Sequence, residues 1–271
     1  MDFQSHPSFA ANIKSQGACT RTYDHGDATS FHHHLENAGD LTIGLFTDSL
    51  FPLSGCIAPL PQSLDALRIS NVKSSIVVID EAHSLGVLGP TGGGIFEHFG
   101  IKPTNENRIE FVITGSMAKA LGSHGGYIAG SAERIQLIRE RSTIARGFLP
   151  PSCAHAAYAG LELLKDPARL AGLRGNIRKM RDVLESLGFS GLTADPSIPF
   201  FCIEDSPTRP VAAIHGTLMR EGVYAALISG YSATQSGAIL RLVVNHDHTD
   251  EDFAILNRAL AKAAKSQPSL T

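Results

Sequence analysis

The stretch Ser74–Gly89, SSIVVIDEAHSLGVLG, decides how the rest of the chain is read. Its first half, through Ile76, Val77, Val78 and Ile79, is a run of branched apolar residues of the kind that forms a buried strand in a parallel sheet. The run ends in Asp80, Glu81 and His83 rather than in a neutral turn. A strand that enters apolar and leaves ionisable delivers those groups to the edge of the sheet, where open α/β sheets bind ligands. Two kinds of machine put an aspartate there. A nucleotide-driven motor uses Asp-Glu-Ala-His to hold the magnesium of a bound nucleotide, whereas an organic-cofactor site uses the Asp and His to hold a heterocyclic ring.

Composition weighs against the motor. The 271 residues carry 23 Lys and Arg against 26 Asp and Glu, a net charge of -3, so the chain lacks the basic footprint of a nucleic-acid binder. The phosphate-gripping sequence G-x-x-x-x-G-K-[ST] does not occur in it. Cys19, Cys56, Cys153 and Cys202 are scattered without a C-x-x-C pair, which reads as four reduced thiols and neither a metal site nor a disulfide framework. The tract His32–His34 reads as a solvated helical face. No window reaches the ~18 apolar residues of a membrane span, and MDFQSHPSFA lacks the basic and apolar regions of a signal peptide, so a cytoplasmic location is expected.

Outward from the central stretch, DLTIGLF, RIEFVIT and GGYIAGS are further strand candidates. Helices are expected over Leu60–Arg68 and Ala132–Arg141. This alternation is the signature of a layered α/β sheet with crossover connections. Past GFLPPS the pattern changes to two long helices, Ala154–Leu164 and Ala168–Leu187. They are followed by SIPFFCIED, a helix near Val211–Glu221, GAILRLVVNHDHT and a last helix over Asp250–Lys265. The expected organisation is a large α/β domain over residues 1–165 and a smaller α+β domain over 166–271.

The second informative stretch is ITGSMAKALGSHGG, Ile113–Gly126, which sets Lys119 just past a strand candidate, between Ala118 and Ala120. Asp80 and Lys119 at the ends of neighbouring strands are what pyridoxal phosphate chemistry requires. The cofactor aldehyde needs an amine to hold it as a Schiff base, and its ring nitrogen needs a carboxylate to stay protonated. Ser116 is placed where its hydroxyl reaches the cofactor phosphate.

Together, DEAHSLGVLGPTGGGIFEHFG and TGSMAKALGSHGGYIAGS resemble the α-oxoamine synthases, pyridoxal-phosphate acyltransferases of the aminotransferase class I/II superfamily. The resemblance continues through DFQSH, YDHGD, GCIAPLP and GAILRLVVNHDHT. It implies an aspartate-aminotransferase-like fold, with the large domain incomplete at its N-terminus. It implies that Lys119 carries the Schiff base, Asp80 pairs with the pyridine nitrogen, His83 bonds the phenolic oxygen, His6 stacks on the ring and Arg241 receives the amino-acid carboxylate. Glu81 reads as structural. Pro52 stands where relatives have a serine, and ARGFLPPS is too short for the relatives' segment that reaches a neighbouring subunit's phosphate. The implied reaction is decarboxylative condensation of an amino acid with an acyl thioester, on coenzyme A or a carrier protein, to an α-aminoketone. The implied assembly is a homodimer or a pairing with a full-length paralogue. An aminotransferase or lyase using the same cofactor, and a non-catalytic partner of a full-length relative, are the alternatives.

Overall fold

The computed structural model describes residues 1–106, 108–142, 149–189, 195–229 and 237–265. The first half of the segment ARGFLPPS, ARGF, lies outside the described residues. The chain divides into two compact units, one of Met1–Phe51 with Cys56–Asp166, the other of Pro52–Gly55 with Pro167–Thr271.

The first unit runs α1 (Pro7–Ser15), α2 (Ala28–Glu36), β1 (Thr42–Asp48), α3 (Leu60–Ile69), β2 (Ser74–Asp80), α4 (Ile95–His98), β3 (Ile109–Ser116), β4 (Gly126–Gly130), α5 (Ala132–Arg141) and α6 (Pro151–Leu164). Its sheet has the order β1-β2-β3-β4. The first three strands are parallel, and β4 returns antiparallel to β3. Leu45, Val77, Ile79 and Phe111 of the strands pack with Phe31 and Leu35 of α2 and Leu60, Leu64 and Leu67 of α3 in one core. Removing such branched and aromatic side chains from water stabilises each by about 1.5–3 kcal/mol. Because β1, β2 and β3 run the same way, Asp48, Asp80 and Ser116 all finish at one edge.

One element differs from expectation for a physical reason. β1 does not end at Phe46 but continues through Thr47 and Asp48, both buried, because Asp48 pairs in register with Asp80. The N-terminal helices α1 and α2 are polar and carry little apolar periodicity, α2 burying only Phe31 and Leu35 one turn apart. Local caps start them. The Asp27 side chain accepts from Thr29 N at 2.7 Å, and His6 Nδ1 accepts from Ser8 N at 3.3 Å with Pro7 at the first helical position.

The second unit contains α7 (Pro167–Ser186), β5 (Phe200–Glu204), α8 (Val211–Arg220), β6 (Ala226–Ile228), β7 (Ile239–Val243) and α9 (Asp250–Lys265). Its antiparallel sheet has the order β5-β7-β6. Ile177, Met180 and Leu184 of α7, Ile214 and Leu218 of α8, and Leu256 and Leu260 of α9 pack with Phe201, Leu240 and Leu242.

Candidate active site

The strand ends build the site from two adjacent apolar runs that each finish in aspartate. Asp80 Oδ1 accepts from Ala82 N at 2.8 Å, which turns the chain sharply after β2 and keeps the carboxylate at the edge. His83 follows in that turn, half-buried. Glu81 faces inward: its carboxylate accepts from the Ser84 hydroxyl and, at 3.1 Å, from Ile95 N at the start of α4, and burial raises its pKa. These bonds give Glu81 a scaffolding part in the turn.

Asp48 is the residue that the sequence reading missed. It lies beside Asp80, is 4% exposed, and accepts from His6 N at 2.8 Å. Burial pushes its carboxyl up to about 7, with the Asp80 and Asp2 charges adding to the rise, while the His6 amide and the Lys119 charge oppose it. Ser49, next in the chain, donates to the Asp80 carbonyl from both its amide (2.9 Å) and its hydroxyl (2.6 Å), which locks the two strand ends together. A signal did exist, since TDSL repeats at the end of β1 the apolar-to-aspartate exit seen in IDEAHSL.

Lys119 lies in the connection from β3 to β4 and is exposed in the chain by itself. The connection is closed by Met117 N on Gly125 O (2.9 Å), Ser123 N on Met117 O (2.8 Å) and Gly122 N on Lys119 O (3.0 Å). Ser116 Oγ accepts from Ala118 N at 3.1 Å, so its hydroxyl points along the same loop. Two glycines grip the loop from outside. A Cβ on Gly160 of α6 would stand 2.6 Å from the Leu121 carbonyl oxygen, and one on Gly86, at φ +76°, would stand 2.9 Å from the Ala120 Cβ. Backbone packing thus fixes the loop on both sides of Lys119. Tyr127, opposite Gly115 on β4, is pushed up to about 12 by burial and by the charges of Glu81 and Asp80.

The remaining expected residues are placed as follows. His6 is exposed, with Nδ1 2.8 Å from Ser8 Oγ, so one ring edge is tied to α1 while its backbone amide holds Asp48. Arg241 belongs to the second unit, on β7 opposite Cys202. Its guanidinium lies 4.5 Å from the Phe200 ring centroid, burial lowers its pKa, and its buried Nε has no hydrogen-bond partner among the described residues. Thus Asp80, His83, Ser116, Lys119 and His6 belong to one unit and Arg241 to the other. A separate cavity of about 680 Å³ in the first unit, lined by Ile13, Phe31, Leu35, Ile43 and Phe46, runs along β1 and includes none of these residues. Among the described residues no group of three His, Cys, Asp or Glu could hold a metal ion.

The raised carboxyl of Asp48 gives a pH dependence whose sign is fixed. Between the ordinary aspartate value of 3.8 and about 7 the folded chain keeps a proton there that the unfolded chain has released. The stability so contributed is full below the lower value and is lost as pH rises through the upper one. Asp48→Asn keeps an acceptor for His6 N and has no proton to lose. Its melting temperature relative to the wild type, measured without cofactor, is expected to rise between about pH 5 and about pH 8. A difference that does not change with pH would count against the buried neutral carboxyl.

Comparison with known proteins follows this geometry. The profile of the family described as aminotransferase class I and II matches residues 1–260. A provisionally named 8-amino-7-oxononanoate synthase of Desulforudis audaxviator is 34% identical over 261 residues, 95% of this chain and 65% of its own length. The 8-amino-7-oxononanoate synthase of Methylococcus capsulatus is 31% identical over 98% of this chain and 67% of its own. The chain therefore spans about two thirds of the length of these curated relatives. Among solved structures, a serine palmitoyltransferase from S. paucimobilis with bound PLP and myriocin superposes with a TM-score of 0.85 at 22% identity, over 98% of this chain and 66% of that one. An 8-amino-7-oxononanoate synthase from Francisella tularensis gives 0.76 at 23%, over 97% of this chain and 73% of that one. The superpositions show the fold expected from the sequence, that of the aspartate-aminotransferase type.

Proposed function

The chain belongs to the aminotransferase class I and II family, in its α-oxoamine synthase branch, and from that premise we propose that it is a pyridoxal-phosphate-dependent acyltransferase. It condenses an amino acid with an acyl thioester, with loss of carbon dioxide, to give an α-aminoketone. The observation that carries this reading is the shared strand-end edge, where Asp80 closes β2, Ser116 closes the neighbouring β3 and Lys119 stands in the loop just beyond.

The donor set suits the cofactor. A protonated ring nitrogen calls for an anionic partner, and Asp80 presents a carboxylate with one oxygen engaged by Ala82 N. A phosphate calls for hydrogen-bond donors, and the Ser116 hydroxyl, which accepts from Ala118 N, has its own proton to donate. An aldehyde calls for a primary amine, and Lys119 offers one that is exposed. When bound, the cofactor supplies an electron sink for negative charge developing at the α-carbon of the amino acid.

The chain's own residues do the rest. Asp80 would keep the proton on the ring nitrogen, and His83 would donate to the ring oxygen. Lys119 would hold the cofactor through its amine and would accept the α-proton of the amino acid as general base. His6, tied to α1 through Nδ1, offers a ring face held in one orientation. Arg241 would receive the substrate carboxylate, a part suited to its planar fork and to its buried Nε, which has no partner among the described residues. A cytoplasmic location and a dimer, with a second copy or a longer paralogue, belong to the same proposal. No helix among the described residues is long and apolar enough to cross a membrane.

The test is product analysis on the 271-residue chain supplied with pyridoxal phosphate, small amino acids and acyl-coenzyme A thioesters. Release of free coenzyme thiol and carbon dioxide in equal amounts, with an aminoketone by mass spectrometry, is expected. Keto-acid formation without thiol release would identify an aminotransferase instead, and no turnover with any substrate would favour a non-catalytic partner.

A further inference from the structure

A second cluster of reactive groups lies in the first unit, beside the strand ends but outside the proposed chemistry. Asp2 is fully buried, and both its oxygens are engaged: Oδ1 accepts from Gln4 N at 2.8 Å and lies 2.9 Å from His25 Nδ1, while Oδ2 accepts from Gly26 N at 2.8 Å. The His25 ring stands edge-on to Phe51 with centroids 4.5 Å apart, which fixes its plane. His25 also shares a side-chain hydrogen bond with Cys56. The sulfur lies beside Gly26, where an added Cβ would stand 2.9 Å from Cys56 Sγ. Cys56 itself is held in the turn after β1, where Phe51 N donates to its carbonyl at 2.9 Å and Ala58 N donates to Ser49 O at 3.0 Å. The sulfur has a weaker contact with the Ile57 carbonyl at 3.4 Å and remains partly exposed.

Burial pulls the His25 imidazole down, yet the bonds to Asp2 and Cys56 and their charges overcome it and lift it to about 9. An imidazolium therefore faces the sulfur at neutral pH, oriented from behind by a buried carboxylate. The thiolate is the nucleophilic form of cysteine, and the His25 ring hydrogen-bonded to the sulfur is placed to hand a proton to a departing thiolate. Burial pushes the Cys202 thiol up to about 11 despite the charge of Arg241.

We propose that Cys56, backed by His25 and Asp2, is a site of thiol–disulfide exchange with low-molecular-weight disulfides. The Cys56 thiolate attacks one sulfur of the disulfide. A new S–S bond forms as the old one breaks, and the departing sulfur leaves with the electron pair and takes the proton of the His25 imidazolium. Cys56 is oxidised and the departing half is reduced to a thiol. The adduct then lies against Gly26, whose amide holds Asp2, and the chain from Asp2 runs on to His6, whose amide holds Asp48.

The test treats the fully reduced 271-residue chain with oxidised glutathione at neutral pH and follows each cysteine by peptide mass mapping. Cys56 is expected to form the mixed disulfide about tenfold faster than Cys19, although Cys19 is the exposed thiol. In His25→Asn the Cys56 rate should fall about tenfold while that of Cys19 is unchanged. A Cys56 rate equal to or below that of Cys19 in the wild type overturns the proposal, as does an unchanged rate in a folded His25→Asn. The wild-type ratio needs no variant, so it decides the matter even if the substitution prevents folding.

Discussion

Lys119→Ala is expected to abolish the visible absorbance of lysine-attached pyridoxal phosphate and to lower turnover by about two to four powers of ten, the usual contribution of a positioned general base. The variant loses both tasks assigned to the amine, holding the cofactor and moving the α-proton. The fold should survive, because Lys119 is exposed and the loop is held by backbone bonds from Met117, Gly122 and Ser123 and by packing against Gly160. Lys119→Arg is the informative control, since it keeps the positive charge beside Asp48 and removes the nucleophilic amine. Spectral loss in both variants with an unchanged melting curve fits the assignment. A lysine-attached absorbance that persists in the alanine variant would remove Lys119 from the centre of the chemistry.

Asp80→Asn should separate attachment from turnover. The amide can still accept from Ala82 N, so the turn after β2 is retained, but it cannot hold a proton on the ring nitrogen by charge. A charge-assisted hydrogen bond is worth about 1.5–3 kcal/mol. If that is felt wholly in the transition state, turnover falls about 10- to 150-fold, at 1.36 kcal/mol for each power of ten. Attachment through Lys119 should remain. Equal losses of binding and turnover would mean that Asp80 serves mainly to hold the loop.

The two most prominent features of the candidate site were legible because each is local in sequence. β2 announces itself as a branched run that exits in Asp80, and Lys119 stands out as a cation among small residues after the next strand. Asp48 was harder to read, because the expected strand stopped at Phe46 and nothing in the sequence gives the register that sets Asp48 against Asp80. The helix α1 buries no residue and α2 only two, so hydrophobic periodicity carried little of their signal and the caps at His6 and Asp27 carried more. The three residues of β6, Ala226–Ile228, are too few and too exposed for a strand pattern. The cluster of Asp2, His25 and Cys56 obeys no spacing rule, since its members meet only when the turn after β1 folds against the N-terminal segment.

The account depends most on which amine the cofactor chooses, and borohydride reduction of the chain incubated with pyridoxal phosphate answers that directly. Reduction fixes the phosphopyridoxyl group to whichever lysine held it, and peptide mass mapping locates it. The expected result is one group per chain, on the peptide that contains Lys119, with Lys14, Lys73, Lys102, Lys165, Lys179, Lys262 and Lys265 unmodified. A group spread over those other lysines, with no preference for Lys119, would contradict the account.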